Sequence, residues 1–466
     1  MESFSARVQH ALKDRDLQFA LDRATAHLRS RTRTAFNSLE NADAVRDKAR
    51  QAKLDVLKNL DRYLIQFEAK LIENGTHVHW AETGRNACGI VLDIARNRDA
   101  RNIVKSKSMV TEEIELNRAL IENGFHVVET DLGEYIVQLA GERPSHIIAP
   151  IIHMTRDRVG RIMHEKLGVP YSDESETLTA YAREKLRREF LNADIGISGA
   201  NFGVAETGTV CIVTNEGNGR MVTTLPKIHI AIMGIEKLVP GMQDLDLMLK
   251  ILARSGTGQK LTSYTTLVNG PGNSPADGSP EEVHVILLDN GRTNILAGET
   301  AEILACIRCG ACLNACPVYN TIGGHAYGDV YPGPVGSIVT PGLRGLAPWK
   351  DLPYASSLCG ACREVCPVRI DIPRMLLSLR SSAVSETPQP PGIRFGMKLF
   401  GFLTENPDLY RFFGRAVRIV VRALLKGEWI SKLPGFLDGW TKKRDLIKPP
   451  QESFQELWKK RKKRND

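Results

Sequence analysis

The chain has 466 residues, of which 42% are hydrophobic and 25% are charged, and its formal net charge is +8. This length predicts two or three domains, and the composition is that of an ordinary soluble globular protein. The sequence contains no apolar run of roughly 18 residues that could span a bilayer. Its first residues also lack the basic-then-apolar pattern of a secretory signal. The sequence therefore predicts neither a membrane-spanning protein nor an exported one.

Residues 1–75 are predicted to form a helical N-terminal segment. Apolar residues recur at steps of three and four near its end, which places them on one face of a helix, and Gly75 lies where that helix should stop. This apolar set is Leu54, Leu57, Leu60, Leu64, Phe67 and Leu71. The segment could dock another protein, but a cap packed on the next domain is the preferred interpretation.

Residues 76–298 are predicted to form an α/β domain with a largely parallel sheet, because short apolar runs alternate with helical patterns. A helix is predicted for Thr111 to Asn123, with Thr111 as its N-cap and Gly124 as its stop signal. The predicted strands are Thr76 to Ala81, Phe125 to Thr130, His146 to Ile152, Thr209 to Thr214, Ile228 to Met233 and Val283 to Leu288.

Three polar, Gly-rich segments of this domain could line a ligand pocket, because open α/β sheets bind ligands at the ends of their strands. They are Lys105 to Ser108, Ala205 to Thr209 and Asn215 to Arg220. Lys105 and Lys107 precede a predicted helix start and would suit a carboxylate or a phosphate. The alternative is that the glycines only make turns. Cys88 and Cys211 are predicted to be buried structural thiols.

The segment 299–386 holds seven of the nine cysteines, in two related runs. The run Cys306 to Pro317 reads C-x2-C-x2-C-x3-C-P, and the run Cys359 to Pro367 reads the same without its first cysteine. This spacing is typical of ferredoxin-like modules with two [4Fe-4S] clusters, in which the fourth cysteine of each run binds the other cluster. Clustered free thiols also indicate a reducing, cytoplasmic location.

The geometry of such modules assigns the ligands. Cys306, Cys309, Cys312 and Cys366 are expected to bind the first cluster, whereas Cys316, Cys359 and Cys362 are expected to bind the second. The second cluster is then one thiolate short, since Ser356 stands where the pattern expects a cysteine.

Several alternatives remain open for these cysteines. Zinc sites usually come as pairs of C-x2-C, and disulfides would require an oxidising compartment, so both are less favoured than iron–sulfur ligation. The fourth ligand of the second cluster could be Ser356, His325, solvent or an exogenous thiol.

The remaining chain is predicted to be loop, linker and tail. The insertion Gly323 to Pro341 between the two runs is rich in Gly, Pro and Tyr and is predicted to be a loop. Pro373 to Ser385 should be a helix. Residues 387–466 are predicted to be an extended linker, Thr387 to Pro391, and a basic helical tail. The tail ends in six consecutive basic residues, Lys459 to Arg464, which are more often solvated or docked on an acidic partner than bound to nucleic acid or to a membrane surface.

Several of these segments together resemble the lactate-utilisation iron–sulfur proteins of the LutB type. The resemblance is carried by Cys306 to Cys312, Ile322 to His325, Tyr331 to Pro334, Leu352 to Cys359 and Asn215 to Gly219. It covers nearly the whole chain, and the truncated second run matches the family's own pattern. It implies a cytoplasmic bacterial protein with two [4Fe-4S] clusters and two companion subunits. It also implies that the α/β domain has a fold like those of CoA-transferases and sugar isomerases.

The function implied by this resemblance is electron transfer during the oxidation of L-lactate to pyruvate. A two-electron donor can be oxidised in single-electron steps at two clusters, and protein groups tune the cluster potentials. The sequence has no flavin-binding fingerprint, so hydride removal is expected in a partner or on another cofactor, and no catalytic residue is assigned. Rival functions are electron transfer from another 2-hydroxy acid such as glycolate, and a non-catalytic redox sensor or scaffold.

Overall fold

The computed structural model describes residues 2–272, 278–386, 391–424, 427–433, 435, 438, 441 and 444–465. The chain divides into two compact units, Met1–Glu386 and Thr387–Asp466. Of the predicted linker, residues 387–390 lie outside the described residues.

The N-terminal segment is helical, as predicted. Its helices are α1 (Phe4–Ala11), α2 (Arg15–Asn37), α3 (Ala42–Lys58) and α4 (Leu60–Glu73). The prediction of one continuous apolar face was wrong, because the backbone of Asn59 leaves the helical conformation between α3 and α4. The two helices bury their apolar residues against the α/β domain and the cysteine-rich region, which agrees with a packed cap.

The described residues of the first unit form ten strands in two sheets. They are β1 (His77–Ala81), β2 (Asn102–Lys105), β3 (His126–Glu129), β4 (Ile195–Gly199), β5 (Phe202–Val204), β6 (Thr209–Thr214), β7 (Ile228–Gly234), β8 (Leu238–Val239), β9 (Tyr264–Val268) and β10 (Glu282–Leu288). Six of them make an all-parallel sheet in the order β1-β10-β7-β4-β2-β3. The other four form a sheet in the order β8-β5-β6-β9.

Helices connect and flank the strands of the two sheets. They are α5 (Gly84–Asn97), α6 (Met109–Glu113), α7 (Leu116–Glu122), α8 (Leu132–Ala140), α9 (Arg156–Leu167), α10 (Ser175–Leu191), α11 (Asn218–Thr224), α12 (Met242–Gly256) and α13 (Arg292–Leu296). The strands β4, β7 and β10 are buried almost throughout, as expected for a parallel sheet that is covered by helices. The predicted α/β fold class is confirmed.

One predicted strand, His146 to Ile152, is a loop. The Nδ1 atom of His146 accepts hydrogen bonds from the backbone N–H groups of Ile148 (3.0 Å) and Ala149 (3.1 Å). These donors are therefore not free for a strand ladder. The other five predicted strands are confirmed as β1, β3, β6, β7 and β10.

The helix predicted for Thr111 to Asn123 is split into α6 and α7. Glu115 has a φ of 53°, in the left-handed region, and interrupts the helix. The N-cap is Ser108, whose hydroxyl accepts from the N–H of Thr111, so the prediction of Thr111 as the cap was wrong.

The cysteine-rich region is helical and completes the first unit. Its helices are α14 (Ala311–Ala315), α15 (Pro317–Ile322), α16 (Gly333–Arg344), α17 (Ala361–Glu364) and α18 (Ile372–Glu386). The helix predicted for Pro373 to Ser385 is thus confirmed as α18. The insertion Gly323 to Pro341 was predicted to be a loop, but α16 begins within it. Pro334 occupies the first turn of α16, where a missing N–H costs nothing.

The second unit holds the basic tail. It contains α19 (Pro391–Glu405), α20 (Pro407–Leu424), a short antiparallel pair β11 (Trp429–Ile430) and β12 (Leu446–Ile447), and α21 (Phe454–Asn465). Glu456 of α21 binds Arg415 and Arg418 of α20. Within the described residues, every helix is too short or too polar to cross a bilayer.

Candidate iron–sulfur site and adjoining cavity

Four of the seven cysteines come together at one small cavity. Cys306, Cys309, Cys312 and Cys366 line it, together with apolar residues that include Ile303, Val335 and Ile370. Burial, followed by the proximity of Cys306 and other thiols of the group, raises the pKa of Cys309 and of Cys312 far above the usual value. Four thiols in one apolar enclosure fit the donor set of a cubane cluster, which requires all of them to lose their protons on binding.

The backbone around these cysteines presents N–H groups to sulfur. The Sγ of Cys306 accepts from the N–H of Arg308 at 3.3 Å, and the Sγ of Cys366 accepts from Ile370 at 3.3 Å. The Sγ of Cys316 accepts from Tyr319 at 3.5 Å. Such bonds stabilise charge on sulfur, and they tune the potential of a bound cluster.

The two cysteine runs share one backbone conformation. Arg308 and Gly310 flank Cys309 with positive φ values of 57° and 75°, and Leu358 and Gly360 flank Cys359 with 56° and 85°. Cys359 therefore corresponds to Cys309.

By the same correspondence, Ser356 occupies the place of Cys306. The Oγ of Ser356 accepts from the N–H of Leu358 at 3.1 Å, as the Sγ of Cys306 accepts from that of Arg308. The local turn is thus the same with a serine at this place as with a cysteine.

The other three cysteines form a second, less enclosed group. Cys316 and Cys362 are buried, whereas Cys359 is exposed. Burial and then the nearby Cys316 raise the pKa of Cys362 to about 12. The pKa of Cys359 is instead lowered, because the N–H of Ala361 and the side chain of Ser357 donate to its sulfur.

His325, one of the predicted candidates for the fourth ligand, lies beside a different group of side chains. Its ring packs against that of His153 at 4.6 Å, and its Nε2 bonds to the carbonyl of Arg143 at 2.7 Å. Glu142 bonds to His153 at 2.9 Å in the same place. The Nε2 hydrogen bond to a carbonyl leaves only Nδ1 of His325 as a lone-pair donor.

Helix α3 supports the loop that carries Cys366. The Nη2 of Arg46 donates to the carbonyls of Glu364 (2.6 Å) and Cys366 (2.7 Å). One turn later, the Nη1 of Arg50 donates to the carbonyl of Arg369 at 2.7 Å. The apolar spacing of this segment gave no signal for these two arginines.

A buried ionic network joins the α/β domain to the cysteine-rich region. Arg292 binds both carboxylate oxygens of Glu113 at 2.9 Å and donates from Nε to Glu236 at 2.7 Å. Tyr331 donates to Glu113 at 2.7 Å, and Arg308 lies 3.8 Å from Glu236. Because isolated charges are costly to bury, these partners must be in place together.

A larger cavity, of about 530 Å³, lies at the carboxyl ends of β2, β3 and β4. Two of the three predicted polar segments reach it, through Lys107, Ser108, Asn215, Glu216 and Asn218. From β2 the chain continues to β3 on one side of the sheet. It then crosses back to β4 and continues to β7 and β10 on the other side, so the strand order reverses between β2 and β4. This is the position at which α/β sheets bind ligands.

The other predicted pocket residues are used elsewhere. Lys105 is fully buried and donates to Glu129 and Asn117, both at 2.6 Å. The segment Ala205 to Thr209 packs on the end of α4, where a Cβ on Gly208 would come within 2.6 Å of the backbone of Lys70.

Sequence reasoning missed two cationic residues of this cavity, Lys237 and Arg308. The position of Arg308 between Cys306 and Cys309 was visible in the sequence, but its position beside Glu236 at the end of β7 was not.

The two remaining cysteines are buried, as predicted. Burial raises the pKa of Cys211 to about 12, and it also raises the pKa of Cys88.

Known families match the chain in three consecutive parts. The LUD domain matches residues 64–288, the 4Fe-4S dicluster domain matches 302–370, and the C-terminal domain of lactate utilisation protein B matches 383–463. Lactate utilization protein B of Bacillus pumilus is 43% identical over 464 residues, which cover 99% of this chain and 98% of the relative. The chain belongs to the lactate utilisation protein B family.

Other relatives agree with this membership. The "uncharacterized electron transport protein YkgF" of Escherichia coli K12 is 42% identical over 98% of this chain and 96% of its own length. A DUF162 family protein of Deinococcus radiodurans matches 49% of this chain and 98% of its own, with 14% identity and a TM-score of 0.29, a similarity too low to carry an argument. Membership of the lactate utilisation protein B family confirms the predicted resemblance, and the cysteine-rich region is an iron–sulfur domain.

Proposed function

We propose that this protein is the iron–sulfur electron-transfer subunit of a complex that oxidises L-lactate to pyruvate. Membership of the family supports a role in lactate utilisation, since the names of the family and of its relatives refer to that process. The observation that carries the proposal is the grouping of the seven cysteines into an enclosed set of four and a more exposed set of three. When bound, two [4Fe-4S] clusters would supply one-electron chemistry, so that a two-electron donor can be oxidised in single steps.

The proposed ligands are those expected from the spacing. Cys306, Cys309, Cys312 and Cys366 would hold one cluster, and Cys316, Cys359 and Cys362 the other. In support, the first four line one cavity, and the thiols of Cys316, Cys359 and Cys362 lie close enough to shift one another's pKa. The backbone N–H groups of Arg308, Ile370 and Tyr319 would stabilise charge on their sulfurs.

The exposure of the two groups suggests a direction for electrons. The four enclosed cysteines lie beside the large cavity, whereas Cys359 is on the surface. An electron acceptor must come close to the cluster that reduces it, so the acceptor would bind at the surface near Cys359. The partners that the resemblance implies are two companion subunits in the cytoplasm.

The proposed division of the chain into domains is 1–75, 76–298, 299–386 and 387–466.

Metal content and reduction test this function. Anaerobically purified protein should approach eight irons and eight sulfides per chain if both clusters are [4Fe-4S]. In the complex reconstituted with its companion subunits, L-lactate should reduce the clusters and glycolate should not. Stoichiometric zinc without sulfide would overturn the ligand proposal, and reduction by glycolate alone would redirect the substrate to another 2-hydroxy acid.

A further inference from the structure

We infer that the cavity between the strand ends and the cysteine-rich region is a binding site for a small 2-hydroxy or 2-oxo carboxylate, whose carboxylate is held by Lys237 and Arg308. This inference deepens the proposed function by placing a carboxylate site on this chain. It rests on that function only for the choice of carboxylate.

The position of the cavity is the first argument. Lys107 and Ser108 follow β2, and Gly199 to Asn201 lie at the end of β4, the two strands between which the strand order reverses. A Cβ on Gly199 would come within 2.5 Å of the Oγ of Ser108, so the two strand ends meet closely only because this residue is glycine. Backbone and hydroxyl groups are thereby gathered at one edge of the sheet.

The buried charges are the second argument. Lys237 and Arg308 are only 6% and 9% exposed, and both line the cavity. The Nη1 of Arg308 is buried and has no hydrogen-bond partner among the described residues. Their shared carboxylate neighbour, Glu236, already binds Arg292. Glu236 and the sulfur of Cys306 are the anionic groups beside these two cations, and neither gives the Nη1 of Arg308 a hydrogen-bond partner, so this donor is left for a ligand.

These two cations lie near each other. Burial and then repulsion from Arg308 lower the pKa of Lys237 to about 8. Bidentate binding to a planar carboxylate is what an arginine guanidinium favours, and a lysine ammonium adds a point charge beside it. A carboxylate between them would replace repulsion with two charge-assisted hydrogen bonds.

The wall of the cavity defines the rest of the ligand. Ile147, Ile148, Val213 and Leu252 supply apolar surface, while Ser108 and Asn201 supply a hydroxyl and an amide. Such a lining suits a short carbon chain that carries one further oxygen. The cavity is larger than a three-carbon acid, so the ligand would occupy the end where Lys237 and Arg308 lie.

The cavity also adjoins the enclosed cysteines. Arg308 and Ile147 line both it and the smaller cavity of Cys306, Cys309, Cys312 and Cys366. At the end of α12, a Cβ on Gly256 would lie 3.2 Å from the carbonyl oxygen of Cys309. A ligand held by Arg308 would therefore be separated from the cysteine site by one layer of residues.

Calorimetric titration of the full-length, anaerobically purified protein tests this site. The probes are L-lactate, pyruvate, propionate and inorganic phosphate. We expect lactate and pyruvate to bind, propionate to bind more weakly because it lacks the 2-oxygen, and phosphate to bind least. Lys237→Gln should raise the Kd for lactate and pyruvate at least roughly ten-fold, as expected for the loss of a charge-assisted hydrogen bond.

Two further variants complete the test. Lys227→Gln removes an exposed lysine that pairs with Glu281 outside the cavity, and it should leave the Kd unchanged. Val213→Phe fills the cavity without changing its charge, and it should abolish binding. Iron content and cooperative unfolding are measured for each variant, and Val213→Phe decides the matter if Lys237→Gln does not fold.

Three results would overturn the inference: no binding of lactate or pyruvate to the parent protein, equal affinity in Lys237→Gln and Lys227→Gln, or unaltered binding in Val213→Phe. Phosphate binding as tight as pyruvate binding would overturn the ligand class. Reduction of the complex by lactate without any carboxylate binding here would refute this site and leave the proposed function intact. Carboxylate binding here without reduction of the clusters by lactate would support this site and refute the proposed function.

Discussion

Tyr331 covers Arg308: the guanidinium carbon lies 4.9 Å from the centre of the phenol ring, and the phenol hydroxyl donates to Glu113 at 2.7 Å. One residue of the insertion thus contacts a cation next to the cysteines and a carboxylate of the α/β domain. The insertion is therefore part of the packing between these regions.

Tyr331→Phe should destabilise the protein by about 1–2 kcal/mol, because it removes a hydrogen bond to a buried carboxylate while it keeps the ring over Arg308. The free energy of unfolding from anaerobic chemical denaturation measures this. Tyr327→Phe is the matched control, since the hydroxyl of Tyr327 is buried and has no hydrogen-bond partner among the described residues. Equal losses in both variants would contradict the role assigned to the Tyr331 hydroxyl.

The crossed ligand arrangement predicts which cluster each substitution damages. Cys366→Ser should impair the cluster of Cys306, Cys309 and Cys312, although Cys366 lies in the other run. Cys316→Ser should impair the cluster of Cys359 and Cys362. Electron paramagnetic resonance of the reduced variants distinguishes the two signals. The assignment is wrong if each substitution abolishes the signal of its own run.

Ser356→Cys should make the second cluster more resistant to air and lower its potential, because a thiolate donates more charge than a hydroxyl or water. In the parent protein, air should first produce a three-iron signal from this cluster. The test is redox titration together with spectra recorded during exposure to air. Ser175→Cys adds a thiol on the exposed surface of α10, outside the cysteine-rich region, and should have neither effect. Parallel loss of both clusters in parent and variant would argue that another group completes the site.

A buried histidine should make the protein sensitive to mild acid. Burial lowers the pKa of His229 to about 4 in the folded state, so it stays neutral and bonds to Ser198 at 2.8 Å. The unfolded chain binds a proton near the ordinary value of about 6.5, so the stability due to this group is present above that pH and is lost as the pH falls toward 4. From pH 7.5 to 5.5 this loss is about 1 kcal/mol.

Denaturation at the two pH values checks this expectation. His229→Asn keeps a polar group but cannot titrate, so its unfolding free energy should fall less between pH 7.5 and 5.5 than that of the parent. His27→Asn, on the exposed surface of α2, serves as the control. An identical decline in all three proteins would show that His229 has no part in it.

The comparison of sequence and structure shows which features local patterns can predict. Apolar runs predicted β7 and β10 correctly because buried parallel strands need little else. The run His146 to Ile152 failed because one imidazole takes the backbone N–H groups that a strand would use. Pro and Gly suggested a loop at Gly333, although proline in a first turn is compatible with a helix.

The candidate site was predictable only where its residues are close in sequence. Cysteine spacing within each run is local, and it led to the expectation that Cys306, Cys309, Cys312 and Cys366 lie together, as they do at one cavity. The cavity is assembled from Ser108, Asn201, Lys237 and Arg308, which are distant from one another in the chain, and no local pattern marks such a juxtaposition.

The hydrogen bonds of Arg46 to the carbonyls of Glu364 and Cys366 join residues about 320 positions apart. During synthesis, α3 leaves the ribosome long before the loop that it supports exists. Part of the surface of the N-terminal helices therefore stays uncovered until nearly four-fifths of the chain has been made. The enclosed set of cysteines is completed only at that stage. Assembly of the enclosed site is thus a late event of biogenesis, and removing the first helices to obtain a smaller fragment would take away a support of the loop that carries Cys366.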